Sequence, residues 1–141
     1  MDRLRRAAGP GPSLVAPLRP VEGSVLIVDD NPLNVLLLQE YFRMREREVA
    51  RCAGTVREAL AMARAEPPLA ILLDLQLPDG NGLDLLAHLR ADPVLRHVPV
   101  AIVSASHDEA AHEAAMALGA RACWPKPLDL ATLDDRLDEL L

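Results

Sequence analysis

Three observations predict an α/β protein with a doubly wound, five-stranded parallel sheet. Short aliphatic runs such as Val25-Leu26-Ile27-Val28 and Ala70-Ile71-Leu72-Leu73 alternate with segments of helical periodicity. Hydrophobic residues make up 50% of the sequence and aromatic residues only 2%, so the core is built from Leu, Val, Ile and Ala, as in strands buried under helices. At 141 residues and with no repeated period, the chain holds one such unit. Right-handed crossovers then make its strands parallel.

Residues 1–23 carry Pro10, Pro12, Pro17 and Pro20 among scattered apolar residues, which predicts a flexible arm; the folded domain is expected over residues 24–141. The first strand, Val25 to Val28, runs into Asp29-Asp30-Asn31-Pro32, where Asn31 is placed to cap a helix with Pro32 at its first position. Asn34, Leu37, Leu38 and Tyr41 follow at helical spacing. Val49 to Ala53 reads as a weak second strand, and Val56, Ala59, Leu60 and Ala63 as an amphipathic helix ended by Pro67-Pro68. The central strand pushes a single carboxylate, Asp74, out of its C-terminal end into a Pro/Gly/Asn-rich turn ending at Gly82. Leu85, Leu86 and Leu89 form the inner face of a third helix ending near Asp92-Pro93. Val98 to Val103 is the fourth strand and leads into Ser104-Ala105; Ala111, Ala114, Ala115 and Leu118 stripe a helix that stops at Gly119. Arg121 to Trp124 is the fifth strand, before Pro125-Lys126-Pro127, and Leu130, Leu133, Leu137 and Leu140 line the last helix.

A net charge of −6 argues against a nucleic-acid partner, whose phosphates demand clustered Lys and Arg. No apolar run approaches the ~20 residues of a membrane span, and no apolar stretch follows Arg3, Arg5 and Arg6 as a secretory signal requires. A cytoplasmic protein is expected, with Cys52 and Cys123 as small, reduced residues rather than metal ligands or a disulfide.

The residues that break the apolar pattern all fall at the C-terminal ends of strands one, three, four and five: Asp29, Asp30, Asp74, Ser104 and Lys126. In a parallel sheet those ends share one edge, so the five residues meet in one crevice at the topological switch point. Carboxylates ~4 Å apart repel by about 4 kcal/mol per pair at an effective dielectric near 20, which calls for a cation. All-oxygen ligation favours Mg²⁺ or Mn²⁺ over zinc. A metal-bound carboxylate beside a hydroxyl and an ammonium is equipment for holding a phosphoryl group, with Asp74 as the nucleophile. Lys126 is the only lysine among 15 basic residues, a compact point charge in a chain that elsewhere uses Arg.

Asp29-Asp30, the acid in Leu-Leu-Asp-Leu-Gln-Leu-Pro-Asp-Gly-Asn-Gly, Ser104-Ala105 and Lys126-Pro127, in that order and spacing, closely resemble the receiver domains of two-component response regulators. The resemblance covers residues 24–141. It implies a flavodoxin-like fold of strand order 2-1-3-4-5, with Asp74 accepting a phosphoryl group from a phosphohistidine. It also implies Mg²⁺ on Asp29, Asp30, Asp74 and the Gln76 carbonyl, Ser104 as the hydroxyl switch residue, Lys126 as the phosphoryl-binding ammonium, and a cis Lys126-Pro127 bond. The implied partners are a histidine kinase or histidine phosphotransfer protein and an output protein. A homodimer, should one form, would use the face of helix four, strand five and helix five. Enzymatic activity beyond self-phosphorylation and slow autodephosphorylation is not expected. In the implied order strands two and five lie about 19 Å apart at opposite edges, too far for a Cys52–Cys123 disulfide.

One position departs from the family. Three residues before the lysine, where receivers usually carry Tyr or Phe, stands Cys123; the adjacent Trp124 faces the other side of its strand. Coupling from phosphorylation to the helix-four face is therefore expected to be weaker. Two alternatives stand beside the phosphoacceptor: a pseudo-receiver that binds partners independently of phosphorylation, and a receiver segment of a hybrid kinase. A metal-dependent phosphatase for outside substrates has little support, with no second acid two residues after Asp74 and no P-loop. Asp79, Asp84, the acids of the last helix and the four histidines read as surface groups.

Overall fold

The first and third strands, β1 (Ser24–Val28) and β3 (Ala70–Leu73), are buried at every position. Neither has a polar alternation because helices cover both of its faces. The computed structural model describes residues 23–105 and 107–141, so the expected N-terminal arm lies outside the described residues apart from Gly23. Around these strands the chain runs through α1 (Pro32–Met44), β2 (Val49–Ala53), α2 (Val56–Ala65), β4 (Gln76–Leu77), β5 (Gly80–Asn81) and α3 (Gly82–Ala91). It continues through β6 (Val100–Ser104), α4 (Glu109–Ala117), β7 (Ala122–Pro125) and α5 (Leu130–Leu140).

The main sheet has the order β2-β1-β3-β6-β7, every pair parallel. With the two short hairpin strands β4 and β5 set aside, this is the expected order 2-1-3-4-5 of a flavodoxin-like α/β fold. Cys52 on β2 and Cys123 on β7 therefore sit on opposite edges, and both are free thiols. The hairpin itself has no counterpart in the apolar pattern: Gln76 pairs with Asn81 and Leu77 with Gly80, inside what reads in sequence as a plain turn.

The helix ends follow their sequence signals. Asn31 caps α1, its side chain accepting from Leu33 N at 2.9 Å and Asn34 N at 3.4 Å, with Pro32 at the first position. Thr55 caps α2 through Glu58 N, and Asn81 and Asp129 cap α3 and α5. Gly119 takes a φ of +102° after α4, the left-handed conformation that a C′ residue needs.

The sheet divides the core in two. One layer packs Leu26, Ile71, Leu73, Val100 and Ile102 against Leu85, Leu86 and Leu89 of α3 and Ala59 and Ala63 of α2. The other packs Val25, Ile27, Leu72 and Val103 against Leu38, Tyr41 and Phe42 of α1 and Leu133, Leu137 and Leu140 of α5. Leu37, Leu118 and Leu130, expected inside, are 51%, 37% and 42% exposed. The inward stripe of α1 is centred on Leu38, Tyr41 and Phe42, leaving Leu37 at its edge; Leu118 is the C-cap of α4 and Leu130 the first residue of α5. Val98, expected to begin the fourth strand, is buried just ahead of it, and β6 starts after Pro99.

Leu89→Ala empties a fully buried site and is expected to cost about 3 kcal/mol, whereas exposed Leu36→Ala should stay within about 0.5 kcal/mol. Urea unfolding of the two variants measures the contrast.

Candidate functional site

β1 and β3 are neighbours, and each ends one residue before an acid. The Asp29 N–H donates to Ala53 O at 3.0 Å and the Asp74 N–H to Val28 O at 2.9 Å, so both carboxylates project from the same edge of the sheet on backbone held by ladder-type bonds. Asp29 is buried, its side chain 6% exposed, and that of Asp74 is 12% exposed. Asp30, one residue further along, is exposed. One carboxylate oxygen from each of the three lies within 4.8 Å of the others.

Lys126 reaches into this cluster from the end of β7. Its Nζ donates to Asp29 Oδ2 at 2.9 Å and Asp74 Oδ2 at 3.2 Å. Its backbone N–H donates to Ser104 O at 3.1 Å, which ties the lysine to the end of β6, and the Lys126–Pro127 peptide is cis. Burial alone would pull the ammonium down, but the Asp29 carboxylate, and Asp74 after it, outweigh that and hold the Lys126 pKa above its ordinary value.

The remaining oxygens are also used. Asp29 Oδ1 accepts from Asn31 N at 2.9 Å, and Asp74 Oδ1 from Gln76 N at 3.2 Å. Asn34 Nδ2 lies 3.5 Å from Asp29 Oδ2. A cleft of about 420 Å³ opens above the cluster, lined by Asp30, Asn31, Asn34, Asp74, Gln76, Leu77, Pro78, Ala105 and Lys126. The structure thus brings together Asp29, Asp30, Asp74, Gln76 and Lys126. Ser104 is buried at the end of β6, 4% exposed, and the cleft wall at that strand end is Ala105. Asn34 and Ala105 also line the cleft, although the sequence pattern marks neither as a chemical group of the site; Asn34 stands in the first turn of the helix that follows Asp29, where its position gives the signal.

Three carboxylates against one ammonium leave negative charge in excess, and every donor is a hard oxygen. That set fits a small divalent cation such as Mg²⁺ or Mn²⁺. Gly82 belongs to the same corner: a Cβ there would stand 2.5 Å from Asp74 O and 2.9 Å from Leu75 Cα, so only glycine lets the hairpin fold back under the strand end.

The fifth strand separates its side chains as alternation requires. Trp124 packs into the α1/α5 layer, and half-buried Cys123 packs against the α2/α3 layer. Burial pushes the Cys123 thiol above its ordinary pKa, and with Glu109, His112, Glu113 and Met116 it lines an open cavity of about 450 Å³ beside α4.

Sheet order and the crevice at its switch point define a doubly wound α/β domain of the flavodoxin type. The chain belongs to the response regulator receiver domain family, whose model matches residues 25–138. It is 36% identical over 107 residues to the polar-differentiation response regulator DivK of Brucella ovis, covering 76% of this chain and 86% of DivK. Among solved structures, the phosphorylated cyanobacterial phytochrome response regulator RcpA is 27% identical with a TM-score of 0.72, covering 83% of this chain and 89% of RcpA. The chemotaxis protein CheY4 of Vibrio cholerae, at 24% identity, shares the fold with a TM-score of 0.78 over 84% of this chain and 98% of its own.

Because its pKa is raised in the folded state, Lys126 contributes stability that is fully present below the ordinary lysine value near ~10.4 and is lost as pH rises through the raised one. The stability difference between the wild type and Lys126→Met is expected to be flat from neutral pH to about 10 and to shrink above it. Denaturant titrations across that range read it directly.

Proposed function

We propose that this receiver domain is a phosphoacceptor: Asp74 takes a phosphoryl group from a phosphohistidine on a histidine kinase or phosphotransfer protein and signals through protein–protein contacts. The observation that carries the reading is the Asp74 carboxylate at the floor of an open cleft, with the one lysine of the chain 3.2 Å away and two further carboxylates within 4.8 Å. Membership of the receiver family and the phosphorylated state of the RcpA relative support it.

A carboxylate oxygen of Asp74 attacks phosphorus in line with the imidazole nitrogen of the donor. The P–N bond breaks, its electron pair returns to the imidazole, and an aspartyl phosphate remains. Lys126 stays protonated through neutral pH and neutralises a phosphoryl oxygen, and the Gln76 N–H keeps Asp74 Oδ1 turned toward its own backbone. Ser104 is the hydroxyl at the neighbouring strand end. Asp29, Asp30, Asp74 and the Gln76 carbonyl would hold Mg²⁺ or Mn²⁺, which when bound supplies charge neutralisation for the transferring group. The chain acts on its own carboxylate, not on outside substrates. No helix of the described residues is long and apolar enough to cross a membrane.

Mg²⁺ titrated calorimetrically is expected to bind the wild type and not Asp30→Ala, because the affinity comes from carboxylates crowded on one edge. Equal affinity in the variant removes the metal assignment.

Incubated with acetyl phosphate or a labelled histidine kinase, the wild type should gain one phosphoryl group by intact-mass spectrometry. Asp74→Asn should gain none, a neutral amide being a poor nucleophile. A wild type that accepts nothing would leave the phosphorylation-independent interaction module as the reading.

A further inference from the structure

The hairpin that follows Asp74 supplies the site with more than a loop. Gln76 N–H holds Asp74 Oδ1, while Gln76, Leu77 and Pro78 line the cleft. The placement of this hairpin therefore bears on the orientation of the Asp74 carboxylate, whose other oxygen Lys126 Nζ holds, and on the backbone of Gln76, which pairs with Asn81. Its base is fixed by Gly82 N donating to Leu75 O at 2.7 Å and by Asn81 capping α3, and Leu77 is buried in the α2/α3 layer. The tip, Pro78-Asp79, is anchored differently. Asp79 reaches across to another element, where its Oδ1 accepts from Val56 N at 2.7 Å and its Oδ2 from Arg57 N at 3.1 Å.

These two donors are the first N–H groups of α2, and the bonds are solvent-exposed. Water would serve them nearly as well, so the bonds add little to the helix, which Thr55 already caps through Glu58 N. For the hairpin the same bonds are different in kind. A bidentate carboxylate clamp on a rigid helix end removes the freedom of a two-residue tip to pivot about Leu77. We infer that Asp79 is a positioning residue for the acidic site: by clamping the hairpin tip to the N-terminus of α2, it holds Gln76 in register with Asp74.

The inference rests on the metal and phosphoryl reading of the cleft, and its test separates the two. Calorimetric Mg²⁺ titration and amide hydrogen exchange at Gly82 N–H are compared in the wild type, Asp79→Ala, Asp79→Asn and Thr55→Ala. Asp79→Ala is expected to weaken Mg²⁺ about tenfold, the low end for losing a partner behind a metal ligand. It should also speed Gly82 exchange in metal-free protein. Asp79→Asn, which keeps one acceptor oxygen, should recover part of both. Thr55→Ala removes a cap from the same helix without touching the hairpin; it should lower the melting temperature and leave Mg²⁺ affinity and Gly82 exchange unchanged. If the wild type binds Mg²⁺ and Asp79→Ala binds it equally, or if Thr55→Ala weakens it as much, Asp79 only caps a helix and the inference is overturned while the site reading stands. A wild type that binds no Mg²⁺ overturns both.

Discussion

Three carboxylates converge on one sheet edge with one ammonium that bridges two of them, and that crowding is the constraint around which the rest of this domain is built. Lys126 bridges Asp29 and Asp74 from a strand that is not adjacent to either. Its reach depends on β7 being registered against β6, where Ser104 stands opposite Pro125 and accepts the Lys126 N–H. Like charges are held together there by backbone that has other reasons to be where it is. Those reasons are supplied by the buried strands.

The strands are aliphatic throughout, and the sheet presents one set of their side chains to α2 and α3 and the alternate set to α1 and α5. Alternation makes neighbouring residues chemically independent. Cys123 and Trp124 are one residue apart yet belong to different layers, so the ring of Trp124 cannot stand in for an aromatic at position 123. What remains beside α4 at that position is a small thiol and an open cavity. Among the buried side chains of α4 only Ala115 is fully enclosed, so few contacts fix this helix to the sheet.

Long-range polar contacts complete the scaffold where the apolar layers end. Arg47, its side chain 12% exposed, donates to Asp134 at 3.0 Å and Asp138 at 2.8 Å and so joins the end of α1 to α5. Arg90 donates to the carbonyls of Arg96, Val98 and Gly119, bracing the loop before β6 against the one before β7. Planar guanidinium groups suit both tasks because one side chain serves several acceptors at fixed angles. Lysine is kept for the single place where a compact charge must enter a crevice.

The sequence by itself determined the class of fold and the membership of the acid cluster. Aliphatic runs ended by Asp29, Asp74, Ser104 and Lys126 say that four strand ends carry polar groups, and parallel connectivity requires those ends to share an edge. Capping by Asn31 and the stop at Gly119 were equally legible, since each depends on residues within one turn of chain. Tertiary structure decided the rest. Leu37 and Leu130 fit a helical stripe but fall at its margin, because which face is central depends on where the neighbouring helix lies. The β4–β5 hairpin has no apolar period to announce it, and Asp79 resembles any surface acid until α2 is seen 23 residues away in the chain. Ser104 lies at the expected strand end, yet Ala105 forms the wall of the cleft. Periodicity encodes which side of an element is buried; it carries no information about which distant backbone donor an exposed side chain will meet, and that is settled only when the elements pack.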